Sequence, residues 1–448
     1  MLDSKRLNRR EFLRLSAMAS AGAVLAACAP GTTVPDEEPT EGVGEAPSTE
    51  AEKVALTAWL NDRLYVQSFQ KRQEALAEAH PEYDITFTVE ENPDLWDNLV
   101  TLFVGGLEDV DIVAIERTGM TQLWKDDLAA QSLVALNDAY LTQEQIDGNL
   151  RWEMFSWDGK IYGVSAEMDG VALYYQPALF DEAGVDVDAI QSYDDFIQAG
   201  LALKALGKYI QYEGSADINK AYAMQNGGGF WSVDGETLLD SPETIEAIQM
   251  QYDMIKTHEV SFETNDSWSP AAVAGFQDGT VAASINADWW GDYYLKDLLP
   301  DMEGLWRLRP LPWFEEGGIR TSTSGGTGFC IVKSSNNPAL AWDFIQTTYL
   351  DKDNLVQIYL DTHYFPPMKA CWDDPKVLEF SDPYYMDEQA IGAVWAELAP
   401  ETPPDPTHPY YPEAADAVSK EIVLAFEGDK SVEQALQDAA ATVRAAMA

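Results

Sequence analysis

One stretch, Val54 to Ile115, constrains the fold more than any other feature of this chain, because strand and helix patterns alternate along it. Val54-Ala55-Leu56-Thr57-Ala58-Trp59-Leu60 is a short apolar run rich in strand formers. A helix-period stripe follows at Val66, Phe69, Gln73 and Leu76. His80-Pro81 ends it, because the residue before proline disfavours helical angles. Ile85, Phe87 and Val89 alternate as a strand, and Asn92-Pro93 can cap a helix with Leu95, Trp96, Leu99 and Phe103 on one face. Val110 to Ile115 reads as a buried strand. This order predicts a parallel sheet covered by helices on both faces, hence an α/β fold. Ligands of such sheets sit beyond the carboxyl ends of strands. That rule nominates Asn61 and Asp62 after the first strand, and Glu116 and Arg117 after the third.

The style recurs further on. Ser241-Pro242 starts a helix through Ile245, Ile248, Tyr252 and Ile255. Val281 to Ile285 is strand-like and leads into Asn286-Ala287-Asp288-Trp289-Trp290-Gly291. Asn337-Pro338 starts another helix, and Ser431 with Gln434 forms a capping box before Leu436, Ala439 and Val443. No repeat of fixed period is visible.

The first residues bear on compartment. Arg9-Arg10-Glu11-Phe12-Leu13 precedes a mild apolar stretch, Leu15 to Ala27, too short to span a bilayer. It reads as the core of a signal peptide over residues 1–27. The paired arginines resemble a twin-arginine export signal, with the general secretory route as the alternative. Leu25-Ala26-Ala27-Cys28 looks like a lipobox, which makes Cys28 the expected lipidation site. Two or three acyl chains there would anchor the protein stably to a membrane. Residues 28–53, rich in Pro, Gly, Thr and Glu, read as a disordered tether. The expected location is extracytoplasmic, on the bacterial cell membrane.

Asp and Glu number 76 against 28 Lys and Arg, a formal net charge of −48. Nucleic-acid binding needs a basic footprint, so that class is excluded. The charge describes an acidic, self-repelling surface that suits either a salty exterior or simple solvation. Self-repulsion also favours a monomer. Beyond Cys28, Cys330 and Cys371 admit a disulfide or two buried thiols.

Five stretches together resemble family 1 of the extracellular solute-binding proteins of ABC importers, the maltose-binding-like group. They are Asp158 to Val164 followed by Ala172 to Val185, Gly275 to Trp289, Pro310-Leu311-Pro312 with Gly325-Gly326, Ala339 to Ile345, and Ser431 to Val443. The resemblance spans about residues 54–447. Gln176-Pro177, Ser165 and Ser192-Tyr193 depart from the family's usual residues. The resemblance implies a two-lobed, periplasmic-binding-protein-like fold of type II, with a ligand cleft between lobes joined by crossing hinge segments. Lobe 1 is expected over 54–165 plus 315–352, and lobe 2 over 166–310 plus 355–448. It implies capture of a sugar and delivery to ABC permease subunits, without an enzymatic step or a cofactor. A lipid-anchored carbohydrate-active enzyme, or a binder of another solute, is the alternative, and turnover separates the first of these.

A neutral sugar offers apolar C–H faces for aromatic rings and hydroxyls for carboxylates. The family's motifs place Tyr175 and Trp289 against the ligand. Trp290, Asp288, Trp231, Glu116, Asp62 and Asp169 are nominated by loop position. Arg117 and Arg320 are the few basic residues near these loops, which argues against an anion. Adjacent acidic pairs such as Asp373-Asp374 are expected by chance at this composition and read as solvated faces rather than a glycosidase pair. The four histidines have no metal spacing, so no metal site is expected. Gly227-Gly228-Gly229 reads as a loop rather than a phosphate cradle.

Overall fold

The computed structural model describes residues 51–448. Cys28 and the expected signal peptide lie outside them, as does most of the expected tether. In chain order the main sheets use β1 (Glu52–Leu60), β2 (Tyr83–Glu91), β3 (Ile112–Glu116), β4 (Gly163–Ser165), β5 (Val171–Tyr175), β6 (Ala283–Ala287), β7 (Arg307–Arg309) and β8 (Thr327–Ile331). The helices that matter here are α1 (Arg63–Ala79), α2 (Arg117–Leu123), α3 (Pro242–Tyr252), α4 (Pro338–Tyr349), α5 (Lys352–Thr362), α6 (Tyr411–Phe426) and α7 (Val432–Met447).

The first lobe is a five-stranded sheet in the order β2-β1-β3-β8-β4. Its β2-β1-β3 part is parallel, as the alternation predicts. The expectation of a wholly parallel sheet is corrected by β8, which returns from the other lobe and pairs antiparallel with both β3 and β4. Asp62 caps α1, its carboxylate accepting from the Leu64 N–H at 2.6 Å, and α1 ends at His80 before Pro81. Phe69 of α1 packs on Phe329 and Phe344, with ring centroids 5.0 and 4.8 Å away. The helix expected after Asn92-Pro93 breaks at Asn98 into two short turns. Trp96 therefore leaves the core face, and 53% of it is exposed.

The second lobe centres on the antiparallel sheet β6-β5-β7. Every residue of β5 is buried. Leu173, Phe196, Tyr222 and Val260 form its core, while α3, α6 and α7 pack as an outer layer around Ile248, Val418 and Leu436. Ser241 caps α3 with Pro242 in its first turn, and Ser431 caps α7.

Three segments cross between the lobes: 166–170, 324–326 and 363–368. They lie side by side, since Met168 N–H donates to Phe365 O at 2.8 Å and Ser324 N–H donates to Asp169 O at 3.1 Å. Two crossings fall later than the expected boundaries. Residues up to Ser322 still belong to lobe 2, because Val171 N–H donates to Ser322 O. The helix α5 stays on lobe 1, where Asp361 pairs with Lys71 and Arg72 of α1. Long-range partners, not local pattern, set both limits.

A proline-rich strap, 402–410, wedges between the lobes. Asp405 pairs with Arg117 of lobe 1 at 2.9 Å and with Lys220 of lobe 2. Thr407 Oγ1 accepts from Trp124 Nε1 at 3.0 Å, and His408 stacks on Trp231 with centroids 3.8 Å apart. Cys330 and Cys371 are buried free thiols, so of the two readings open to them the disulfide is not formed. Among the described residues no helix is long and apolar enough to cross a membrane.

A carboxylate-floored cavity between the lobes

A cavity of about 360 Å³ opens where the three crossings meet. Lobe 1 contributes the ends of its strands: Asn61 and Asp62 beyond β1, Tyr65 in the first turn of α1, Trp96, and Glu116 at the end of β3. The crossings contribute Glu167, Asp169, Ser324 to Thr327 and Tyr364. Lobe 2 contributes Trp268, Trp289 and Tyr293. Among the described residues no lysine, arginine or histidine lines it, and no group of three or more His, Cys, Asp or Glu could hold a metal ion.

The floor is made of acids held in place by the fold. Asp62 Oδ2 accepts from the Tyr364 hydroxyl at 2.9 Å while Oδ1 caps α1. Glu116 Oε2 accepts from the Thr118 N–H at 2.6 Å and so caps α2. Glu167 takes the Tyr65 hydroxyl on one oxygen and the Thr327 N–H on the other at 3.3 Å. Asp169 is wholly buried and has positive φ, and among the described residues neither of its carboxylate oxygens accepts a hydrogen bond. The Asn61 amide oxygen is likewise buried and unpartnered, while its Nδ2 reaches Thr327 Oγ1 at 3.4 Å. Buried acceptors left in this state cost free energy until a donor reaches them.

Burial pushes the Glu167 carboxyl well above the usual range, and nearby Asp169 adds to the effect. Asp169 rises for the same reason, with Asp288 as the next cause and Arg151 opposing. Asp288 is pushed up to about 7 by burial, against the N–H groups of Phe365 and Trp289 that favour its ionised form.

The walls are aromatic. Trp289 is half-buried, and its Nε1 donates to Ser324 O at 2.9 Å, tying the ring to a crossing. Gly325 makes room for it. That residue has φ +106°, and a Cβ there would stand 2.9 Å from Trp289 Nε1 and 3.0 Å from Asp169 Oδ1. Arg63 of α1 covers the outer face of Tyr293 at 4.6 Å, so the lobes also touch at the rim.

Of the residues nominated from sequence, the fold brings Asn61, Asp62, Glu116, Asp169 and Trp289 together around this cavity. The others stand elsewhere. Tyr175 ends β5, five residues beyond the crossing or about 17 Å along the strand, and packs edge-on to Phe180. Trp290 points opposite to Trp289 into the core, stacked on Tyr294 with centroids 4.8 Å apart. Trp231 is covered by the strap's His408. Asp288 lies behind the wall, where its carboxylate takes the N–H groups of Trp289 and Phe365 at 2.9 and 3.0 Å. Sequence reasoning missed Tyr65, Trp96, Glu167, Trp268, Tyr293 and Tyr364. The strand-end rule reaches Glu167, two residues past β4, once β4 is known to be a strand of the same sheet.

A family model described as bacterial extracellular solute-binding protein matches residues 65–383. The arabinooligosaccharide-binding protein of Halalkalibacterium halodurans is 27% identical over 88% of this chain and 89% of its own. That of Bacillus subtilis is 24% identical over 89% and 94%. Among solved structures, the cyclic α-maltosyl-1,6-maltose binding protein from Arthrobacter globiformis superposes with a TM-score of 0.70 at 21% identity, covering 88% of this chain and 98% of that one. The GacH receptor of Streptomyces glaucescens gives 0.69 at 16% identity, covering 88% and 98%. These likenesses establish a shared two-lobed fold.

Proposed function

The chain belongs to the bacterial extracellular solute-binding proteins, and on that premise we propose that it captures a neutral oligosaccharide between its lobes and hands it, chemically unchanged, to an ABC permease. The observation that carries this reading is the cavity itself. Its floor offers buried acceptors at Asp169 and Asn61 that no group among the described residues satisfies, its walls carry aromatic rings, and no basic side chain lines it. Hydroxyls satisfy such acceptors, and C–H faces of sugar rings stack on such walls. A phosphate ester or other anion would meet only like charge. The two relatives named arabinooligosaccharide-binding proteins support a pentose chain. In this reading Asn61, Asp62, Glu116, Glu167 and Asp169 accept ligand hydroxyls, and Trp289 is a stacking platform. Lipidation at Cys28 would hold a monomer near the permease. A thermal-shift screen of arabino-oligosaccharides, malto-oligosaccharides, polyamines and phosphate esters tests it. The expected result is a raised melting temperature with a neutral oligosaccharide, recovered intact after incubation. Stabilisation by a polyamine or phosphate ester alone, or a cleaved sugar, overturns it.

A further inference from the structure

Behind the aromatic wall of lobe 2 lies a second space. A hollow of about 300 Å³ on that lobe adjoins an inner chamber of about 90 Å³, and Tyr212, Glu213, Asn219 and Ser267 line both. The strand Gln211–Glu213 gives the chamber two polar side chains, because residues two apart on a strand share a face. Ser284 and Asn286 of β6 line it by the same spacing. The rest of the wall is aromatic. Trp290 stacks on Tyr294, and Phe276 meets Trp290 edge-on with centroids 5.9 Å apart. Chain neighbours thus divide between two spaces: Trp289 and Tyr293 line the cleft, Trp290 and Tyr294 the chamber.

Charge in this space is unbalanced. Glu213 is 4% exposed, and among the described residues its carboxylate takes only neutral donors: Gln211 Nε2 at 2.6 Å, Asn219 Nδ2 at 3.2 Å and the Tyr222 hydroxyl. Burial pushes this carboxyl up to about 7 in spite of them. Gln211 is 1% exposed, and its amide oxygen has no donor among the described residues. No lysine, arginine or histidine of the described residues lines either space. The hydroxyls of Tyr212 and Tyr294 are spent on the carbonyls of Ala272 and Ser267, both at 2.6 Å. The chamber therefore sets a buried carboxylate and an orphaned amide oxygen against ring faces. An ammonium group supplies the missing charge and N–H donors together, and ring faces attract cations. An anion would meet like charge, and a neutral ligand would leave the carboxylate uncompensated.

We propose that lobe 2 carries a second binding site, for a small primary ammonium compound whose cationic head enters the inner chamber beside Glu213 and Gln211 while its tail lies in the outer hollow. The site does not depend on the sugar reading, since it uses none of the residues assigned there to ligand hydroxyls. Its size sets its selectivity. The chamber holds one ammonium head, and the polar outer hollow, with Asn219 and Thr264 on its lining, suits a hydroxylated tail.

Calorimetric titration of the wild-type protein with ethanolammonium, tetraethylammonium and potassium, each as chloride at fixed ionic strength, tests this at about pH 8, where most of Glu213 is ionised. Saturable one-to-one binding of ethanolammonium is expected. Tetraethylammonium, which is too bulky for the chamber and has no N–H, is expected to bind at least about 10-fold more weakly, and potassium likewise. Glu213→Gln keeps the side chain's shape and is expected to weaken ethanolammonium by about 10-fold. A thermal melt checks that this variant folds, and the wild-type series decides without it. Absence of saturable ethanolammonium binding overturns the site. Equal affinity for tetraethylammonium, which the wider cleft and the acidic surface would both admit, overturns it too, and equal affinity for potassium overturns the ammonium class. A folded Glu213→Gln that binds ethanolammonium as the wild type does places the cation elsewhere and overturns the assignment to this chamber.

Discussion

At the scale of single residues, burial raises the carboxyls of Glu167, Asp169 and Asp288 above their usual range. Asp288 holds its proton up to about pH 7 in the folded protein, against about 4 in an unfolded chain. The folded state therefore binds that proton more tightly. The stability it contributes is complete below about pH 4 and is lost as the pH rises through about 7. The melting temperature of the ligand-free protein is expected to fall between about pH 5 and about pH 8, and Asp288→Asn is expected to flatten that slope. A variant with the wild-type slope would show that other groups, Glu167, Asp169 or the acidic surface, set it. Asp62 and Glu116 were legible from the strand-end rule because a backbone direction is a local property. Trp290 and Trp231 were not, since which of two adjacent indoles faces ligand depends on a turn, and which loop is covered depends on a strap far along the chain.

At the scale of elements, caps and breakers were readable. Pro81 ends α1, Ser241 starts α3 and Ser431 starts α7, each through a bond within a few residues. The two later crossings and the antiparallel β8 were not readable, because their partners lie more than a hundred residues away. The strap is the clearest case. Its prolines mark it as irregular, yet its role comes from Asp405 sitting buried between Arg117 and Lys220. Those cations draw the Asp405 carboxyl below the usual range despite its burial. Asp405→Asn leaves two buried cations without their partner. It is expected to cost about 3–5 kcal/mol, read from chemical denaturation. A loss under about 1 kcal/mol would mean that water reaches the pair and screens it.

At the scale of the whole molecule, residues of both lobes line the cavity, so tight binding is expected to be coupled to lobe closure. The rim contact of Arg63 with Tyr293 and Asp297 joins the lobes in the present arrangement. Small-angle scattering is expected to give a smaller radius of gyration with saturating ligand than without. Identical profiles would indicate a rigid pocket. In the proposed reading Asp169, buried with both oxygens unpartnered, receives the hydroxyls of a neutral sugar. Calorimetric titration of wild type and Asp169→Asn with arabinotriose tests it most directly. Saturable one-to-one binding is expected, which the variant weakens by about 2- to 10-fold, the worth of a hydrogen bond between uncharged groups. Wild-type affinity in Asp169→Asn would contradict it.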